Sequence, residues 1–199
     1  MSRMEEFRLF AALRASPFVR LLILCAGILY TSGQGTAWAQ QATDEYHAKA
    51  AFVFHFAQLV QWPSDASGNG NLLMICTLGD DPFNGELENT IAGKQVGTRI
   101  VQIRHLGTQQ STVACNVLFI GKSVGKRIPS LISGLRNTPI LTIGESDDFL
   151  KANGMIRLCL EGKKIRFEVN REAAELARLK VSSQLLLLAK TVVERNGGR

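Results

Sequence analysis

The chain carries few of the signatures that announce a chemistry. It has no glycine-rich phosphate loop and no dinucleotide fingerprint. No C-x-x-C occurs, which argues against thiol–disulfide exchange as an activity. Histidine is scarce: His47, His55 and His105 are the only three. His47 and His55 fall on one predicted helix, about 12 Å apart along its axis at 1.5 Å per residue. That is not the spacing of a metal pair, so these side chains read as solvated, with no metal and no cofactor expected. The net charge is +6, yet no long Lys/Arg block appears, so the excess reads as solubility and nucleic acid is not an expected partner. No stretch approaches the roughly 20 apolar residues that span a bilayer, and no internal repeat is visible.

The N-terminus is informative. Met1–Arg20 holds four arginines and two acids, Leu21–Tyr30 is a short apolar run, and a small-polar segment ends in Ala37-Trp38-Ala39. A basic n-region, an h-region and an A-x-A site read as a cleaved secretory signal over 1–39, with a periplasmic protein starting at Gln40. The remainder, 40–199, suits a single domain with a core over about 43–193. Three cysteines remain after cleavage: Cys76, Cys115 and Cys159. In an oxidising compartment two are expected to pair, leaving the third as a buried thiol or a bridge between chains.

Periodicity gives the elements. Thr43–Gln61 reads as a helix capped by Thr43 and ended by Trp62-Pro63, with a wide apolar arc through Phe52, Val53, Phe56, Leu59 and Val60. Asn71–Leu78 and Cys115–Ile120 are continuous apolar runs of the kind buried strands show. Pro82 is placed in the first turn of a helix reaching Ile91, and Gly93–Leu106 contains an alternating strand. Val124–Leu135 reads as a helix and Pro139–Ile143 as a strand. Ser146 is expected to cap a short helix. Gly154–Leu160 and Lys163–Val169 read as a hairpin joined at Glu161-Gly162. Arg171–Arg178 and Ser182–Glu194 close the chain as helices, and Asn196–Arg199 reads as a disordered tail. The fold class is α/β: one domain, a largely parallel open sheet with helices on both faces and a C-terminal β-hairpin.

Two surface readings follow. Arg166, Glu168 and Asn170 share one face of the second hairpin strand at period two, and on an exposed edge that polar face would meet a partner. Gly79–Phe83 and Gly121–Val124 would instead line a small-molecule pocket at the carboxyl ends of parallel strands. An acidic pair such as Asp80-Asp81 also suits a receiver domain, but the strand Asn116–Ile120 runs into Gly121-Lys122 where that fold needs an aspartate. Cys76 and Cys115 lie on strands that can be neighbours, which allows a bridge across the sheet.

Four segments in order carry a resemblance. They are Lys49–Ala57 running into Trp62-Pro63, Cys76–Phe83, Gly154–Ile156 with Ile165–Asn170, and Leu179–Ala189. Together, across Thr43–Val193, they resemble the YfiR family. The resemblance implies a periplasmic, non-enzymatic α/β protein. Its best-understood member represses a membrane-bound diguanylate cyclase by binding that enzyme's periplasmic sensor domain. It further implies a Cys76–Cys115 disulfide. Some relatives have a second bridge near Leu150–Arg157; here that stretch has no cysteine and Cys159 stands alone. The expected function is restraint of a membrane sensor, a diguanylate cyclase controlling cyclic-di-GMP. The alternative is a small-molecule-binding module acting on another sensor kinase. A second copy of the chain is a further candidate partner.

Overall fold

The computed structural model describes the backbone of residues 35–64 and 70–194, with side chains from residue 44 on. Most of the segment read as a cleaved signal, including Leu21–Tyr30, and the tail Asn196–Arg199 lie outside the described residues. Asp44–Arg199 forms one compact unit. No described helix is long and apolar enough to cross a membrane.

Helix α1 (Gly35–Leu59) leads directly into β1 (Val60–Gln61). Its backbone is already helical at Thr43, so Thr43 is not its cap. Next come β2 (Leu72–Leu78), α2 (Glu86–Ile91), β3 (Gln95–Val96), β4 (Arg99–Leu106) and β5 (Val117–Ile120). A 3-10 segment (Lys122–Arg127) precedes α3 (Ile128–Leu135) and β6 (Leu141–Gly144). The chain closes with β7 (Ile156–Glu161), β8 (Lys164–Asn170), α4 (Arg171–Leu176), β9 (Lys180–Val181), α5 (Ser183–Leu188) and β10 (Thr191–Val193).

Eight strands form one sheet in the order β10-β8-β7-β6-β5-β2-β4-β3, and β1 pairs with β9 separately. β4, β2, β5, β6 and β7 are parallel neighbours. By chain order that run reads 2-1-3-4-5, a doubly wound arrangement with its switch point between β2 and β5. The parallel α/β reading and the β7–β8 hairpin both hold.

Side-chain alternation divides the core in two. Leu73 and Ile75, Val117 and Phe119, and Leu141 and Ile143 point to a first face with α1, α2, α4 and α5. Met74, Cys76, Leu78, Leu118 and Ile120 point to the second, with Val124, Ile128, Ile132 and Phe149. Both faces being covered at the centre explains why β2 and β5 read as unbroken apolar runs.

Several predicted elements are corrected. Pro82 is not in a helix: the Asp81 carboxylate accepts the Phe83 N–H, Asn84 and Gly85 take left-handed φ, and α2 begins at Glu86. The helix predicted over Val124–Leu135 is split at Gly125, whose φ of 54° and ψ of −127° suit only glycine. Pro129 then sits in the first turn of α3, where its missing N–H costs nothing. No helix follows Ser146. Successive turns bring Phe149 back to the sheet between Gly144 and Gly154, where a Cβ on either would lie within 2.4 Å of the ring. The hairpin turn is Gly162-Lys163, one residue later than predicted, because Glu161 pairs with Lys164.

The largest correction concerns the C-terminus. Thr191–Val193 is not helical. Three β-branched residues resist helix continuation, and they pair parallel to β8 as Thr191↔Glu168, Val192↔Val169 and Val193↔Asn170. β8 is therefore an inner strand, and β10 is the sheet edge.

Candidate functional site

β7 is parallel to β6 but runs past it: Gly144, the end of β6, pairs with Arg157, near the start of β7. The space beyond β6 is a cleft of about 460 Å³, lined by Lys49, Lys122, Glu145, Asp147, Arg157 and Cys159 among others. It lies at the carboxyl ends of parallel strands, where open α/β sheets bind their ligands.

Glu145 organises this cleft. Its side chain is only 2% exposed. Tyr46 donates its hydroxyl to Glu145 Oε2 at 3.1 Å, and Lys122 Nζ lies 3.4 Å from the same oxygen. Oε1 faces Lys49 Nζ at 3.2 Å without hydrogen-bond geometry. Lys49 is equally buried, pairs with Glu45 one helical turn back and stands 4.4 Å from the Tyr46 ring centroid. Burial and the Glu145 charge hold the Tyr46 phenol far above its usual range. A buried charge persists only when paired, so this group ties α1 to the end of the sheet.

The polar strip predicted for partner binding adjoins the cleft. Arg157 donates Nη1 to Glu168 Oε2 at 2.8 Å across the hairpin and also pairs with Asp147. Arg166 is exposed and Glu168 is half-buried. Asn170 is buried, and its side chain caps α4 by accepting the Ala173 N–H at 3.0 Å. It is thus spent inside the fold, and the strip does not lie on a sheet edge. Cys159 lies on the same face, half-buried rather than buried, with burial pushing its thiol pKa up.

A disulfide joins Cys76 to Cys115, with Cα atoms 5.8 Å apart. Cys76 is central in β2, while Cys115 stands in a turn just before β5 and not on the strand itself. The three histidines are dispersed. His47 contacts Glu86 at 2.8 Å, His55 contacts Gln58 at 3.1 Å, and His105 bridges Thr77 and Glu88 at 2.8 and 2.6 Å. Among the described residues no group of three His, Cys, Asp or Glu side chains is placed to hold a metal.

The pocket predicted from Gly79–Phe83 and Gly121–Val124 is filled by the chain itself. Asp80 N–H donates to Ser123 Oγ at 2.8 Å, and a Cβ on Gly121 would lie 2.9 Å from the Asp80 carbonyl. Of the two segments, Lys122 does reach an open cleft, the one at β5–β7. Glu145 and Lys49 went unrecognised in the sequence because nothing in the spacing of two residues so far apart marks them as partners. The one available signal was a charged residue, Lys49, on an otherwise apolar arc.

Among solved structures, the chain is similar to the ABC domain in complex with L-Trp from Streptococcus pneumonia, at 8% identity and a TM-score of 0.46. The similarity covers 62% of this chain and 56% of that one, so the chain spans little more than half of that protein's length. Across residues 46–190, from the tyrosine that donates to Glu145 to the lysine just before β10, the sequence matches the family described as YfiR/HmsC-like, and the protein belongs to that family.

Proposed function

We propose that this protein is a periplasmic, non-enzymatic regulator that binds the periplasmic domain of a membrane-bound diguanylate cyclase and restrains cyclic-di-GMP synthesis. The family match over residues 46–190 carries this reading. At the level of the family it supports a periplasmic regulator acting on a membrane-bound signalling partner. The basic, apolar and A-x-A segments of the N-terminus support export. Contact with the partner is assigned to the Arg157–Glu168–Arg166 strip, a row of charge on the outward side of an inner hairpin, with Asn170 supporting it from within.

The test is genetic and quantitative. Deleting the gene raises cellular cyclic-di-GMP, and the exported wild-type chain restores the lower level. Glu168→Lys, produced at equal abundance, fails to restore it. An unchanged cyclic-di-GMP level in the deletion strain would falsify the cyclase reading, and normal restraint by Glu168→Lys would move the contact elsewhere.

A second reading, a small-molecule sensor, is supported by the cleft at Glu145. A ligand seated there raises the melting temperature of the wild type but not of Glu145→Gln, measured by thermal shift.

A further inference from the structure

We propose that the bare second face of β4 docks an acidic amphipathic helix from the membrane partner, in the position a crossover helix would fill. This rests on the reading of the protein as a partner-binding regulator, and it places a second contact surface on the far side of the 3-10 segment and α3 from the Glu168 strip.

Successive parallel strands in a doubly wound sheet are joined by crossovers that normally carry a covering helix, and the one from β4 to β5 has to pass over β2, which lies between them. The crossover from β4 to β5, residues 107–116, contains none, only turns and extended chain. The consequence is visible along β4. On the first face Val101 is buried and Ile103 is half-buried, both within the core shared with α1 and α2. On the second face Ile100 is 46% exposed, Gln102 and Arg104 are exposed, and only Leu106 is covered, in the cluster that holds Val124 and Ile128. Register puts Ile100, Gln102 and Arg104 beside Leu72, Met74 and Cys76, so this row continues the sheet surface that the 3-10 segment and α3 cover further in. It is a strip one strand wide, open at the place where a helix belongs.

Its electrostatics select the occupant. From Asn89 to Gly144 the chain has no aspartate or glutamate but seven lysines and arginines. Arg104 on the strip, and Lys126 and Arg127 at the start of the helix layer beside it, are exposed and pair with no carboxylate among the described residues. An apolar stripe resting on Ile100, flanked by acids reaching Arg104 and the Lys126-Arg127 pair, satisfies both the shape and the charge of this surface.

The experiment uses the exported full chain in its own cells, with the photo-crosslinker p-benzoylphenylalanine at Gln102 and, as control, at Lys163 in the hairpin turn. The Gln102 adduct is expected to map to an acidic helical segment of a membrane sensor, and the Lys163 position should not form it. Arg104→Glu with Arg127→Glu is expected to cut adduct yield about tenfold while leaving the melting temperature unchanged. Lysine at the captured acidic position should restore the yield. The proposal is overturned by an adduct with a second copy of this chain, or by an adduct to a segment without acids. It is equally overturned by an unchanged yield in the double variant, or by no protein adduct together with retention on phosphatidylglycerol vesicles. Failure of the cyclase reading is separable. A deletion that leaves cyclic-di-GMP unchanged, with Gln102 still capturing an acidic helix of another sensor, sinks that reading and keeps the dock. A deletion that raises cyclic-di-GMP, with no adduct at Gln102, does the reverse.

Discussion

The two faces of the sheet solve the same burial problem differently. On the first, α1, α2, α4 and α5 contribute to one continuous cluster that runs from Val101 on β4 to Val169 on β8, with aromatic contacts such as Phe83 on Phe119 at 4.7 Å. On the second, the cluster is smaller and central. It is closed by α3, by a disulfide in place of part of a helix, and by Phe149 inserted between two glycines. Polar and charged side chains occupy the uncovered flanks, Arg104 on one side and Arg157, Arg166 and Glu168 on the other. Apolar burial contributes about 25 cal/mol per Å², so the first face supplies most of the stability. The second face gives up area and relies on a covalent link, and what it gives up is left as uncovered surface.

Perturbing each face tests this division. Phe119→Ala on the first face opens a cavity in a fully buried site and is expected to cost roughly 3–5 kcal/mol, seen as a large fall in melting temperature. Replacing Cys76 and Cys115 together by serine frees a loop with a sequence separation of 39. In the chain-entropy model that link is worth about 4 kcal/mol at most, so a loss of roughly 2–4 kcal/mol is expected by denaturant titration, with restraint lost through lower abundance. A double-serine variant as stable as the wild type would mean that the second face holds without its staple. Gly154→Ala pushes a Cβ to 2.2 Å from the Phe149 ring and is expected to cost roughly 1–3 kcal/mol. The smallest stability effect belongs to Glu168→Lys. Its partner Arg157 is half-buried, so the change costs on the order of 1 kcal/mol, or about 2–4 °C, while its effect on restraint is large. A Glu168→Lys variant that melted as far below wild type as Phe119→Ala would place that strip in the core.

Much of this was legible in sequence, and the reasons differ by element. Buried parallel strands announce themselves as apolar runs, so β2 and β5 were found within two residues. Hairpin alternation found β7 and β8. The polar face of β8 was half legible: period two put Arg166, Glu168 and Asn170 on one face, but burial and capping at the strand end removed Asn170 from the surface. The C-terminal Thr-Val-Val was missed because it follows four leucines in helical phase. Its own β preference is weak until β8 offers a free row of backbone groups to pair with.

What the sequence by itself determined is what short-range chemistry encodes: an α/β alternation, two faces of apolar periodicity and a family signature spread over 46–190. Tertiary structure alone decided which charges meet. Lys49 and Glu145 are far apart in the chain, yet the fold buries them 3.2 Å apart, in a group with Glu45, Tyr46 and Lys122 where desolvation requires each charge to be paired. It also decided that β8 is inner, because an unpaired strand edge recruits whatever β-competent segment the chain returns to it. The bare face of β4 is decided in the same way. An exposed Ile100 has no signature in sequence, since only the path of the β4–β5 crossover determines whether anything covers it.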